Sequence, residues 1–280
     1  MLGALIIVFR EVLEAGIIVG ILLAVTRGVP RRGLWIAGGV AAGVAGAGLL
    51  AIFAEQISNA LAGVGQELFN AGVLAVAVVM LAWHNIWMAR HGREMAAHMK
   101  EVGDAAAKGS RSLAAVAIVV AVAVLREGSE IVLFLYGLTI SGDSTNSGLL
   151  VGGLIGLLLG CGVTALTFFG LVKIPARYLF GVTTVLITFL AAGLAAQSVA
   201  FLQQAGIATA WEGTVWDTSW ILSDRSLLGR VLHTLVGYSD QPSGMQLAVY
   251  GLTLITIFGL TKALRPSYPA KPRAMVEQSL

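Results

Sequence analysis

Hydrophobic residues in this chain come in long unbroken blocks, not in strand-like alternation or narrow helical stripes. Runs of about twenty apolar residues are the length that crosses a ~30 Å hydrocarbon core as a helix. The pattern predicts seven spans, at roughly 3–26, 33–56, 67–89, 112–138, 148–172, 178–203 and 244–263. Two runs are interrupted by charge: Arg10-Glu11-Val12-Leu13-Glu14 and Arg126-Glu127-Gly128-Ser129-Glu130. Each ionisable group there costs roughly 2.5–3.5 kcal/mol on insertion scales. At 100° per residue Arg10, Glu11 and Glu14 share one arc of about 100°, so that arc faces protein or water and not lipid. One such interruption is explained by a structural ion pair; two together point to a site.

The halves of the chain resemble each other. Gly38-Gly39, Gly46 and Gly48 in the second span match Gly152-Gly153, Gly160 and Gly162 in the fifth, and Leu68-Phe69 matches Leu179-Phe180. Gly39-x-x-x-Gly43 and Gly152-x-x-x-Gly156-x-x-x-Gly160 are small-residue faces on which membrane helices approach closely. Cations set the orientation. Arg27, Arg31 and Arg32, five between Arg90 and Arg111, Lys173 and Arg177, and Lys262, Arg265, Lys271 and Arg273 fall on one side, 14 of the 18 Lys and Arg. Arg225 and Arg230 fall on the other side, and Arg10 and Arg126 belong to the motifs. The positive-inside rule then puts the N-terminus outside and the C-terminus in the cytoplasm.

The expected architecture is an all-α integral membrane protein. It has one membrane domain, residues 1–280, built as a 3+3 inverted repeat plus a seventh helix. Residues 3–89 form the first repeat and 112–203 the second; 204–243 is an outer loop with short interfacial helices, and 244–263 is the seventh helix. Both motifs then lie at a depth of about 15 Å, near the midplane.

Composition agrees: 57% hydrophobic, 12% charged and 35 glycines, with mean hydropathy +0.86. The net charge of +3 resides in short loops, so nucleic acid is not an expected partner. The single cysteine, Cys161, excludes a disulfide framework or a thiolate metal cluster. No basic stretch precedes the first run and Arg10 interrupts it, so it is expected to stay as a helix and not be cleaved.

Converging Glu11, Glu14, Glu127 and Glu130 form a hard-oxygen cage suited to Mg, Ca, Mn or iron. Arg10 and Arg126 hold these carboxylates and offset their charge. Four glutamates and two arginines sum to −2, which matches a divalent ion. A permease for another divalent cation such as lead or manganese, a proton-coupled exchanger, a metal-dependent membrane enzyme and a purely structural ion network remain open on this chemistry.

The two motifs resemble the paired Arg-Glu-Gly-Leu-Glu motifs of the high-affinity iron permeases, also called oxidase-dependent iron transporters. Ala191-Ala192-Gly193-Leu194-Ala195-Ala196 is similar to the bacterial members, as is the tract from Trp216-Asp217 through Leu227-Leu228-Gly229 to Gly237-Tyr238. The resemblance implies a multi-pass permease of the cell membrane and no enzyme, with iron as the transported ion and no permanently bound cofactor. It implies Glu11, Glu14, Glu127 and Glu130 as ligands, with Arg10 and Arg126 as their partners. It also implies an extracytoplasmic iron-binding protein or an oxidase or peroxidase as partner. Val12 stands where the motif has Gly and Ser129 where it has Leu; the first takes backbone room beside Glu11, the second adds a hydroxyl for a water or an ion.

Accessory candidates lie around this core. His84, beside Asn85 and between Trp83 and Trp87, reads as an inner-side relay or an interfacial histidine. His91 and His98 read as solvated loop residues. Glu55 and Glu67 flank the loop between the second and third spans, as vestibule groups or helix caps. Asp217, with Glu212, Asp224, Asp240 and His233, lies in the outer segment, where Trp211, Trp216 and Trp220 predict short interfacial helices.

Overall fold

The computed structural model describes residues 1–61, 65–141, 145–170, 176–224 and 226–264. The tail from Arg265, Lys173 and the side chains of Glu55, Arg93 and Arg177 lie outside the described residues. Among those residues are eight α-helices: α1 (Leu2–Val25), α2 (Arg32–Leu61), α3 (Gln66–Ala107), α4 (Leu113–Ile140), α5 (Asn146–Phe168), α6 (Ala176–Gln204), α7 (Leu227–Val236) and α8 (Gly244–Ala263). Side chains start several of them. Ser112 Oγ accepts from Ala115 N at 3.3 Å, Thr145 Oγ1 from Gly148 N at 3.2 Å, and Ser243 forms a capping box with Gln246. Between α1 and α2, Gly28 and Arg31 adopt φ of 95° and 60°, and Arg32 Nη1 donates to Leu23 O at 2.9 Å, closing the end of α1.

Among the described residues, five helices are long and apolar enough to cross a membrane, at 32–53, 66–88, 146–168, 181–204 and 244–263. Their outward faces are lined with exposed Leu34, Val44 and Leu49 on α2, Leu150, Leu154 and Leu158 on α5, and Leu252 and Ile255 on α8. Such apolar patches belong in lipid. Of the seven expected spans, α1 and α4 are the two that fail on composition, because each carries an Arg and two Glu at its centre.

Packing is by exchange between the halves. α1 lies along α5 and α4 along α2, while α3 pairs with α6. α1 and α4 run antiparallel: Gly3 packs on Leu138, whereas Leu22 clusters with Val116 and Val120. Gly39 sits against Ala117 O and Val120, Gly43 against Ala121 O and Val124. Correspondingly, Gly152 sits against Met1 O and Ala4, and Gly156 against Leu5 O and Val8. On the motif helices these partners recur 116 positions apart, and on the glycine helices 113 apart. Gly160 receives Val12; at the matching place Gly128 faces Ala47. Val12 therefore takes its room from α5 and not from the neighbourhood of Glu11.

A Cβ at Gly156 would lie 2.6 Å from Leu5 O and 3.0 Å from Phe9 N, both backbone atoms, whereas one at Gly162 meets open space. Overpacking of this kind costs about 1–3 kcal/mol or more. Gly156→Val is expected to lower the melting temperature of the detergent-purified protein clearly, and Gly162→Ala to leave it within a degree or two; equal melting curves would contradict the exchange packing.

Two apolar clusters flank the motifs. One unites Ala4, Ile7, Leu74, Leu81, Phe134, Leu138, Ile187, Leu190 and Ile257; the other unites Leu22, Ile36, Ala106, Val116, Val120 and Val124. On α1 the charged turn lies between Ile7 and Leu22, and on α4 between Val124 and Phe134. The charges thus form a layer closed by hydrophobic side chains above and below.

Two expectations are corrected. The polar stretch from Arg90 is not a loop: α3 continues to Ala107, because Met99, Val102 and Ala106 are buried and Gly103 packs on Val25 and Leu22. His98 is exposed there beside Glu101 at 3.9 Å, while His91 stacks on Trp87 at 5.2 Å. The 204–243 segment does hold a short amphipathic helix, α7, but the three tryptophans expected to lie in such helices stand in irregular chain before it. Gly213 O accepts from Gly244 N, Thr214 bridges Ser243, and Asp217 Oδ1 binds Ser219 N at 2.9 Å, holding turns where helices were expected. α7 ends at Gly237, φ 67°, whose backbone touches Gly193 of α6; a side chain at either glycine would push α7 off the bundle.

Candidate metal centre

Helix spacing brings the motif residues together. Glu11 and Glu14 are i,i+3 on α1, Glu127 and Glu130 i,i+3 on α4, and the antiparallel crossing turns both pairs inward. All four carboxylates are buried. Arg10 Nη1 lies 3.3 Å from Glu11 Oε1, and Arg10 Nε lies 3.1 Å from Glu14 Oε1. Arg126 Nε lies 3.4 Å from Glu130 Oε1 and 3.9 Å from Glu127 Oε1. The arginines differ in setting: the Arg10 side chain is 2% exposed and the Arg126 side chain 36%. Arg126 stacks its guanidinium over Trp87, 4.5 Å from the ring centroid.

His84 completes the layer from α3. Its Nε2 lies 3.2 Å from Glu14 Oε2, and its Nδ1 is in close contact with Glu130 Oε2. A neutral imidazole has one donor and one acceptor nitrogen, so facing two carboxylates it must share a proton with them. Glu11, His84, Glu127 and Glu130 each offer a ligand atom within 4.8 Å of the others, the one such group among the described residues. Glu11 Oε2 and Glu127 Oε2 are buried without a hydrogen-bond partner. Those two oxygens have given up water with nothing in exchange, which in a low-dielectric layer is costly unless a cation comes between them. Glu14 stands just outside this set, occupied by Arg10 and His84.

The family model described as Iron permease FTR1 family matches residues 1–265. The chain belongs to that family. Curated relatives named ferrous iron permease EfeU include one from Yersinia pestis, 32% identical over 254 residues and covering 89% of each chain. Another, from Escherichia coli O6:H1, is 31% identical over 256 residues, covering 89% of this chain and 91% of its own. No solved structure matches. The relatives are named as permeases, which are transporters, and the family's iron is a transported substrate.

The remaining sequence candidates of this iron permease family member stand apart from the layer. Ser129 Oγ donates to Arg126 O at 2.7 Å, a bond within its own helix. Glu67 is exposed in the first turn of α3. Asp217 is exposed and accepts from Ser219 Oγ at 2.6 Å and Gln241 Nε2 at 3.0 Å; the Ser219 side chain first, then its backbone, hold this carboxyl below the usual range. Asp224 is raised by burial, and its N–H donates to Asp240 Oδ2 at 3.1 Å. These acids organise the loop.

The place of His84 in this layer was partly concealed. Counted from the start of its helix it sits 18 residues in, against 12 for Glu14. α3 therefore begins about six residues, roughly 9 Å, before the level at which α1 begins, and a count that gives every span the same origin places the histidine at the wrong level. An ionisable side chain in an apolar run was the available signal.

Proposed function

We propose that the protein carries ferrous iron inward across the cell membrane through the layer formed by Glu11, His84, Glu127 and Glu130. The observation that carries this reading is the convergence of those four ligand atoms between two apolar clusters, with one oxygen of Glu11 and one of Glu127 unpartnered. Three carboxylates and an imidazole suit a borderline-hard divalent ion. With Glu14, Arg10 and Arg126, and once the proton shared with His84 has left, the site sums to −2, so ferrous iron entering in place of that proton brings it to neutrality; the curated relatives are named for ferrous iron.

Glu14 serves as the positioning carboxylate, holding Arg10 on one side and His84 on the other. α1 and α4 join the five apolar helices as spans, giving seven. The N-terminus lies outside, and residues 1–107 and 113–204 are the two inverted halves. Support comes from the exchanged glycine packing, in which each half supplies the bed for the other's motif helix. The closed layer is an occluded state: outward access requires parting of the Ile7, Phe134 and Leu138 cluster, inward access a change on the opposite side.

Purified protein in liposomes is expected to take up ferrous iron in preference to ferric, lead or manganese ions; faster uptake of manganese or lead would replace iron as the substrate. In a Cys161→Ala background, Ser239→Cys is expected to react with an impermeant thiol reagent from outside intact cells and Ala97→Cys to stay unlabelled. Labelling of Ala97→Cys from outside would invert the orientation.

A further inference from the structure

Below the carboxylate layer the α1–α2–α4 side is closed by Leu22, Ile36, Val116, Val120 and Val124, to which neither α6 nor α8 contributes. The seam between α3, α6 and α8 differs in character. Its outer part is apolar, with Leu74, Leu81, Ile187, Leu190 and Ile257 packed together. Its inner part holds Asn85, 1% exposed, with neither amide atom hydrogen-bonded, and Thr261, 7% exposed, with its hydroxyl unpartnered.

Helix geometry places these two groups in the same seam. Ser198 Oγ donates to Ala71 O at 2.8 Å, which fixes the antiparallel register of α3 and α6. Fourteen residues on, Asn85 lies level with Thr184. At 100° per residue Asn85 falls between Leu74, which clusters with Ile187 and Leu190 of α6, and Ala71, whose carbonyl takes the Ser198 hydroxyl. Phe189 meets Phe258 at 6.3 Å, fixing α6 against α8. Thr261 is one turn beyond Ile257 on the same face of α8, and so lies level with the turn of α6 from Thr183 to Leu186, one turn inward of Ile187 and Phe189.

An amide without a partner in a helix seam is expensive unless water or an ion satisfies it. We propose that Asn85 and Thr261 line the inward branch of the iron route, a neutral-oxygen step that receives the partly hydrated cation leaving the carboxylate layer. The chemistry follows from the need to release: a cage of charged ligands holds a divalent ion strongly, and throughput requires an adjacent weaker site. Neutral amide and hydroxyl oxygens, with water completing the shell, supply such a step one residue from His84. The inference rests on the iron-permease reading and deepens it.

The test uses full-length protein with anaerobic ferrous iron as probe. Asn85→Leu and Thr261→Val are expected to bind iron in detergent with unchanged affinity, while uptake into liposomes falls at least tenfold. Thr261→Cys, in a Cys161→Ala background, is expected to react with a small methanethiosulfonate reagent from the inner face, more slowly when ferrous iron is present. Wild-type uptake in both variants, loss of binding in both, or an unreactive cysteine would overturn the inward branch and leave the permease reading standing. Failure of the unaltered protein to carry iron would overturn the reading itself, and the branch with it.

Discussion

Glu11→Gln and Glu127→Gln are each expected to abolish ferrous iron uptake while the protein still folds. The substitution keeps side-chain volume and removes the charge, so packing of α1 on α5 and α4 on α2 is undisturbed. Residues that only orient metal ligands lose about 10–100-fold in affinity when altered. Glu11 and Glu127 supply the two unpartnered oxygens that the proposed route assigns to the ion, so their loss should lie at or beyond the upper end of that range. Glu14→Gln, which disturbs Arg10 and His84 but takes no oxygen from the cluster, is expected to fall inside it. Iron binding by titration calorimetry alongside liposome uptake separates the two grades. Normal uptake in both Glu11→Gln and Glu127→Gln would remove the cluster from the transport route.

Arg10→Ala is expected to destabilise the fold much more than Arg126→Ala. Removing one partner of a buried ion pair costs about 3–5 kcal/mol, because a charge is left uncompensated away from water. Arg10 is buried between Glu11 and Glu14, on a helix whose ends are bedded against α5 and α4. Arg126 is more than a third exposed, leans on Trp87 and lies 3.4 Å and 3.9 Å from its carboxylates, so less buried ion pairing is lost with it. Arg10→Lys should not restore iron uptake, because a single ammonium cannot reach Glu11 and Glu14 in the fork that the guanidinium spans. Thermal melting in detergent reads the stability difference. Equal melting temperatures for Arg10→Ala and Arg126→Ala would show that the two motifs are energetically equivalent, against the asymmetry in burial.

Much of this architecture was legible in the residue order, because bilayer thickness and the cost of buried charge act on local stretches. The helical blocks, the inward-facing motif arcs and the small-residue faces at Gly39, Gly43, Gly152, Gly156 and Gly160 follow from spacing alone. Gly38, Gly48 and Gly162, although part of the matched pattern, meet open space; spacing marks a small residue without telling which side of the helix has a neighbour. The continuation of α3 past Arg90 was hidden because the burial of Met99, Val102 and Ala106 depends on where the end of α1 arrives. The tryptophans of the 204–243 segment suggested helices by composition, while Asp217, Ser219 and Gly213 settle the chain into turns. At the site, the four glutamates were readable as a set, but which of them meets His84 depends on the vertical offset of α3 against α1. No local pattern encodes that offset.

The most direct test is the coordination shell of the bound ion. X-ray absorption at the iron edge, on anaerobically loaded protein, is expected to show an oxygen-dominated shell with one imidazole nitrogen. The imidazole scattering should vanish in His84→Gln and persist in Glu14→Gln. An all-oxygen shell in the unaltered protein, or an imidazole signal that survives His84→Gln, would contradict a centre made of Glu11, His84, Glu127 and Glu130.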